Sequence, residues 1–115
     1  MVNDDCISVI DSVAAMQAFV SENAAAVVYF AGADCGVCHI LEPKVRALLN
    51  ETFPRIVFGR VATEQAGELA AQQSVFAVPT LLAFYDGRES FRYAPNFSTG
   101  QIERDITRPY GLFFN

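Results

Sequence analysis

The sequence predicts an α/β fold in which a central mixed sheet of four to five strands is flanked by about four helices. Residues 25–31 form an apolar run without alternation, which is typical of a strand buried on both faces. Strand-like and helix-like segments alternate from residue 7 to residue 74, as they do in parallel βαβ units. Asp86-Gly87 separates two later strand-like runs and is a strong hairpin signal, so the last two strands are expected to be antiparallel.

Length and composition limit the size and class of the protein. With 115 residues, 52% of them hydrophobic, and no linker-like segment, the chain is expected to form one domain over residues 1–115. The formal net charge of −5 argues against nucleic acid or an anionic membrane as a partner, because both bind basic surfaces. We expect a monomer, or at most a weak dimer.

The amino terminus and the cysteine count bear on the cellular compartment. Residues 1–5 carry acidic side chains where a secretory signal has basic ones, and the longest apolar run, residues 24–33, is too short to span a bilayer. Three cysteines are too few for a disulfide scaffold, so a paired cysteine motif is expected to be catalytic or metal-binding. The sequence therefore predicts a cytoplasmic protein.

The earlier helices and strands follow from local patterns. Residues 7–10 are expected to form an edge strand, and Asp11 or Ser12 to cap a helix that runs to Asn23. Met16 is interpreted as a core side chain of that helix, because apolar residues recur around it at helical spacing. The segments after the strand at 25–31 are a helix at 40–50, a strand at 56–61, a helix at 64–74, and strands at 81–85 and 88–93.

The last helix has its own start and stop signals. Ser98 and Gln101 have the spacing of a capping box. Arg108-Pro109 is expected to end the helix, because proline has no backbone N–H to donate. The aromatic tail, residues 110–115, is expected to pack onto the sheet, and an exposed partner surface is the alternative.

A pair of cysteines, Cys35-Gly36-Val37-Cys38, lies where the buried strand leads into the next helix. A cysteine at a helix N-terminus faces unpaired backbone N–H groups and the positive end of the helix dipole, and both favour the thiolate over the thiol. The second cysteine, one helical turn later, can attack a mixed disulfide formed by the first and release the substrate with its disulfide reduced. The motif therefore predicts dithiol–disulfide exchange.

His39 directly follows the second cysteine and allows other interpretations of the motif. The C-x-x-C-H string matches covalent haem attachment. The sequence shows no export signal, however, and Met16 is the sole candidate for a sixth ligand of the haem iron. A structural zinc site needs four ligands, and the chain offers one cysteine pair and one histidine. We therefore expect neither haem nor metal. For His39 an exposed polar role is preferred over a cation that lowers the pKa of the Cys35 thiol, and Cys6 is interpreted as a bystander.

Several motifs together resemble the thioredoxin family over nearly the whole chain. They are Cys35-Gly36-Val37-Cys38 after Tyr29-Phe30-Ala31, Pro43 five residues after the second cysteine, and Val75-Phe76-Ala77-Val78-Pro79-Thr80. The resemblance implies a thioredoxin-like fold and a redox-active disulfide, with Cys35 as the nucleophile and Cys38 as the resolving thiol. It also implies a helix kinked near Pro43, a cis Val78–Pro79 bond, and an extended substrate segment held by Val78 and Pro79. The implied partners are protein disulfides and a thiol reductase as electron donor, with no further cofactor.

Some positions depart from the usual pattern of that family. Asp34 stands in place of the tryptophan before the first cysteine, and Val37 replaces the proline of Cys-Gly-Pro-Cys. Tyr29 occupies the place of a buried aspartate and is interpreted as a core aromatic, and Pro95 falls where the family tends to have glycine. Asp34 and Val37 are expected to contact the substrate, whereas Gly36, His39 and Tyr29 are expected to shape or tune the motif.

Two function classes follow from these observations. A dithiol–disulfide oxidoreductase is preferred, because both thiols sit where the chemistry requires them. The alternative is a thioredoxin-like binding or assembly module with no redox activity or only a regulatory one.

Overall fold

The computed structural model describes residues 7–115, so Cys6 and its interpretation as a bystander lie outside the described residues. Within that range four helices and five strands follow one another in the predicted order. In chain order they are β1 (Ile7–Val9), α1 (Val13–Glu22), β2 (Ala25–Ala31), α2 (Gly36–Thr52), β3 (Val57–Ala62), α3 (Gly67–Gln72), β4 (Thr80–Tyr85), β5 (Arg88–Tyr93) and α4 (Thr99–Phe113).

The strands form one mixed sheet in the order β1-β3-β2-β4-β5. β3 pairs in parallel with both β1 and β2, whereas β4 runs antiparallel to β2 and to β5. Asp86 and Gly87, which connect β4 to β5, have φ of 54° and 76°. Positive φ at both central residues is the requirement of the tight hairpin turn that their sequence indicates. The predicted mixed sheet is confirmed.

The central strand β2 is buried along its whole length, which explains its unbroken apolar sequence. Its side chains alternate between two apolar clusters. Tyr29 contributes to the cluster beneath α2 and α4, whereas Phe30 contributes to the cluster beneath α1 and α3. Met16 of α1 is 2% exposed and belongs to the second cluster, as its spacing predicts. Two helices therefore cover each face of the sheet. The β2–α2 connection lies at the carboxyl end of the central strand.

Three of the predicted helices have different bounds in the structure: α2 spans Gly36–Thr52 rather than 40–50, α3 is shorter than predicted and α4 is longer. The helix expected at 64–74 is only Gly67–Gln72, because residues 65 and 66 form a turn on Ala62 and Ser74 adopts φ of 56°. Ser12, rather than Asp11, caps α1 and accepts a hydrogen bond from the N–H of Ala15.

The predicted end of α4 at Arg108-Pro109 is wrong. The helix starts as expected, with Ser98 accepting from the N–H of Gln101, but it continues past Pro109 to Phe113. Aromatic packing explains the continuation. The rings of Tyr110 and Phe53 lie 5.1 Å apart, those of Phe113 and Tyr85 also 5.1 Å, and Arg55 lies over the ring of Phe114. These contacts compensate for the one backbone hydrogen bond that proline cannot make.

Candidate active site

The cysteine pair joins the carboxyl end of β2 to the start of α2. Cys35 is the N-cap of α2, and its Sγ accepts a hydrogen bond from the backbone N–H of Cys38 at 3.1 Å. The two cysteines form a disulfide with their Cα atoms 5.2 Å apart. Cys35 is partly exposed and Cys38 is fully buried, while Gly36 and Val37 between them are exposed. One sulfur is thus accessible at a helix N-terminus, and the other is shielded behind it.

Tyr29 links β2 to this turn of α2. Its side chain is fully buried, and its hydroxyl donates a hydrogen bond to the carbonyl oxygen of Cys38 at 2.8 Å. Burial, and secondarily the charge of Glu42, raises the pKa of Tyr29 above its ordinary value. The hydroxyl therefore stays protonated and remains a hydrogen-bond donor to the carbonyl oxygen of Cys38 over the physiological pH range. Tyr29 is a core aromatic, as the sequence indicates, but its hydroxyl also anchors the backbone of Cys38.

Glu42 is a buried carboxylate that the sequence reasoning missed. Its Oε2 accepts a hydrogen bond from Nη1 of Arg60 at 2.9 Å, and Nη1 of Arg46 lies 4.0 Å from the same oxygen. Glu42 follows Cys38 by four residues and precedes Arg46 by four, so it faces the same side of α2 as both. That spacing in the sequence could have indicated that Glu42 lies on the same face of the helix as Cys38. Glu42 and Arg60 line a cavity of about 160 Å³ behind the β2–α2 connection, together with His39 and Glu64.

His39 is exposed in the first turn of α2, and its ring also contacts the backbone. Its Nε2 lies 3.0 Å from the carbonyl oxygen of Ala33, two residues before Cys35. Since a carbonyl only accepts, Nε2 donates this bond in either the neutral or the charged ring. His39 therefore contacts the peptide that leads into the cysteine motif.

The segment containing Pro79 lies beside the cysteine motif. The Val78–Pro79 bond is cis, and Pro79 is buried. A methyl group placed on Gly32 would lie 3.5 Å from Cγ2 of Val78 and 3.8 Å from Cβ of Cys35, so the two loops meet at Gly32. Asp34 is exposed next to Cys35, and Pro43 lies inside α2. A bend of α2 at Pro43 stays a prediction.

Within residues 7–115, no group of three or more His, Cys, Asp or Glu side chains is arranged to hold a metal ion. None of the helices in that range has the length and apolar composition needed to cross a membrane.

Comparisons with known proteins agree with the fold. A thioredoxin family model matches residues 8–108. The thioredoxin-like protein YdfQ of Bacillus subtilis is 33% identical over 102 residues, which cover 89% of this chain and 90% of that protein. The crystal structure of Fasciola hepatica thioredoxin is 34% identical with a TM-score of 0.78, covering 88% of this chain and 97% of that one. Oxidised thioredoxin O2 of Arabidopsis thaliana has a TM-score of 0.80 over 96% and 99% of the two chains, and at 22% identity it shows the fold alone.

These comparisons decide between the two function classes. The family match spans almost the whole described chain, and the two sulfurs needed for exchange are bonded to each other in the structure. A binding module without redox activity is not favoured, because the residues that the thioredoxin family model matches include both Cys35 and Cys38. The chain belongs to the thioredoxin family, and through Cys35 and Cys38 it is a thiol–disulfide oxidoreductase.

Proposed function

We propose that the protein reduces or exchanges protein disulfides, with Cys35 as the attacking thiol and Cys38 as the resolving thiol. The observation that carries this assignment is the difference in exposure, since Cys35 is partly exposed and Cys38 is fully buried. A substrate sulfur can reach Cys35, whereas Cys38 can reach only the mixed disulfide that forms on Cys35.

The proposed cycle has two exchange steps. The Cys35 thiolate attacks one sulfur of the substrate disulfide, forms a mixed disulfide and releases the other substrate sulfur as a thiolate. The Cys38 thiolate then attacks Sγ of Cys35 and releases the second substrate thiolate, which leaves the Cys35–Cys38 disulfide. Two electrons have passed to the substrate. An external thiol reductase or small dithiol returns them, and the redox-active disulfide needs no further cofactor.

The substrate is proposed to lie as an extended segment across Val78 and Pro79, beside Asp34 and Val37. The support is apolar exposure on both sides of the site, because Val37 at the start of α2 is 61% exposed and Phe76, two residues before Val78, is 83% exposed. Apolar side chains at the rim of a reactive site favour a partly unfolded or apolar substrate segment. Gly36 and Pro43 are proposed to shape the turn and the helix that carry the cysteines. A single domain over residues 1–115, a monomer and a cytoplasmic location stay predictions.

The test uses a Cys6→Ser background, so that Cys35 and Cys38 are the only thiols. Cys35→Ser is expected to abolish reduction of a protein disulfide, and Cys38→Ser to accumulate a mixed disulfide that non-reducing electrophoresis detects. Phe76→Ser should slow that capture, while Leu112→Ser, which removes another exposed apolar side chain on α4, should not. Undiminished activity of Cys35→Ser would refute the assignment of the nucleophile.

A further inference from the structure

Both backbone polar groups of Ala33 are held by side chains from other parts of the fold. Its N–H donates to Oε2 of Glu64 at 2.8 Å, and its carbonyl accepts from Nε2 of His39 at 3.0 Å. Glu64 comes from the β3–α3 connection, 31 residues away, and His39 from the first turn of α2. We call this arrangement of Ala33, His39 and Glu64 the Ala33 clamp.

The clamp acts on the short connection that carries the nucleophile. Only residues 32–34 separate β2 from Cys35, and Ala33 and Asp34 are exposed. The connection has one other backbone tie, from the N–H of Cys35 to the carbonyl of Gly32 at 3.3 Å. Exposed loop peptides without such partners hydrogen-bond to water and move freely. The two side chains therefore hold the turn that sets the position of Cys35.

The charge of Glu64 makes its place in the clamp informative. A methyl group on Gly32 would lie 3.7 Å from Oε2 of Glu64 and 3.8 Å from Cβ of Cys35, so the carboxylate and the nucleophile both border Gly32. A nearby negative charge disfavours the thiolate. By its charge alone, Glu64 would thus make the reactive thiolate of Cys35 less favourable. The hydrogen bond to Ala33 gives a geometric reason for a carboxylate at this position.

We propose that Glu64 and His39 are positioning residues of the exchange reaction, which grip Ala33 and so hold Cys35 at the angle and exposure needed for attack. The proposal rests on the proposed function, since it concerns the same nucleophile. It assigns His39 a role through its hydrogen bond to Ala33. It also assigns Glu64, which has no place in the cysteine motif, to the same reaction.

The experiment compares Glu64→Ala with Glu64→Gln and with Glu68→Ala, a carboxylate of the first turn of α3 outside the clamp. Glutamine keeps a carbonyl acceptor for Ala33 but removes the charge, whereas alanine removes both. Two quantities are measured on the reduced protein in a Cys6→Ser background. They are the hydrogen-exchange rate of the Ala33 amide, followed by NMR, and the rate at which Cys35 attacks the disulfide of dithiobis(nitrobenzoate) as a function of pH.

Glu64→Ala is expected to speed exchange of the Ala33 amide about tenfold, because hydrogen bonds to charged groups typically contribute enough free energy for such a change. It is also expected to slow the attack of the Cys35 thiolate about tenfold at high pH, where the thiol is fully ionised, since small misplacements of a reacting group are costly. Glu64→Gln should attack as fast as the wild type or faster. Glu68→Ala should match the wild type in both measurements.

If Glu64 acts only by its charge, Glu64→Ala should speed the attack of Cys35 rather than slow it. If Glu64→Ala attacks as fast as Glu64→Gln, the residue acts only by its charge and the clamp is overturned. His39→Ala and His39→Gln form a second pair, in which only alanine should slow attack, and this pair decides the matter if Glu64→Ala does not fold. Neither measurement uses a protein disulfide. A wild type inactive on protein disulfides would therefore contradict the proposed function, while a slow Glu64→Ala would still support the clamp.

Discussion

Tyr29→Phe tests whether the Tyr29 hydroxyl stabilises the fold through its hydrogen bond to the backbone of Cys38. The substitution keeps the buried ring and removes only the hydroxyl that donates to the Cys38 carbonyl at 2.8 Å. A typical intramolecular hydrogen bond contributes about 0.5–1.5 kcal/mol net. The loss would be larger if the carbonyl were left buried without a donor. In the helical pattern, however, Cys38 also accepts from the N–H of Glu42.

We therefore expect Tyr29→Phe to lower the free energy of unfolding by ~1 kcal/mol, near the middle of that range. For a domain of this size that corresponds to a fall in melting temperature of about 4 °C. Guanidinium unfolding of the oxidised and the reduced protein measures the loss. If the bond also steadies the turn that carries Cys38, capture of substrate by Cys35 should be unchanged while resolution of the mixed disulfide slows.

Tyr85→Phe is the matched control. Tyr85 is also buried, and among residues 7–115 its hydroxyl oxygen has no hydrogen-bond partner. Removing an unpaired buried hydroxyl relieves a desolvation cost, so this substitution should be neutral or raise the free energy of unfolding by up to ~1 kcal/mol. The ring contact with Phe113 is kept. Equal losses in the two variants would refute the reasoning, because the loss could then not be assigned to the bond with Cys38.

Alkaline unfolding provides a second readout for the same pair. Burial raises the pKa of Tyr85 to about 12 and also raises the pKa of Tyr29. An unfolded tyrosine loses its proton near its ordinary pKa of about 10, whereas the folded one keeps it to higher pH. The unfolded state therefore binds fewer protons in this range, and the free energy of unfolding falls as pH rises from about 10 to 12. Each phenylalanine substitution should make that fall shallower.

Two further predictions concern the redox centre. Val37→Pro should lower the reduction potential of the Cys35–Cys38 couple, measured in glutathione buffers, because the proline stiffens the helix start. The expected change is tens of millivolts, since about 30 mV corresponds to about 1.4 kcal/mol. An unchanged or higher potential would mean that the residues around Tyr29 and Pro79 set it. Protein purified without chelator should be colourless and hold less than one equivalent of zinc by elemental analysis, because the sequence offers too few ligands, and a Soret band or stoichiometric zinc would contradict this.

The features predicted correctly from sequence depend on neighbours in the chain. The apolar run of β2, the Asp86-Gly87 turn and the cysteine pair at a helix start each express a local preference that the tertiary fold does not oppose. A strand buried on both faces needs apolar side chains throughout, and a tight hairpin needs residues that tolerate positive φ. These constraints can be read from a few consecutive residues.

The features that required the tertiary structure join residues distant in the chain. The continuation of α4 through Pro109 depends on aromatic contacts with Phe53 and Tyr85, which outweigh the local signal to stop. The bonds of Glu42 to Arg60 and of Glu64 to Ala33 span 18 and 31 residues. The sequence by itself therefore determined the fold class and the reacting sulfurs, because both follow from local pattern and motif. Only folding decided which charged side chains line the cavity behind the β2–α2 connection, since a carboxylate and its partner must first be brought within hydrogen-bonding distance.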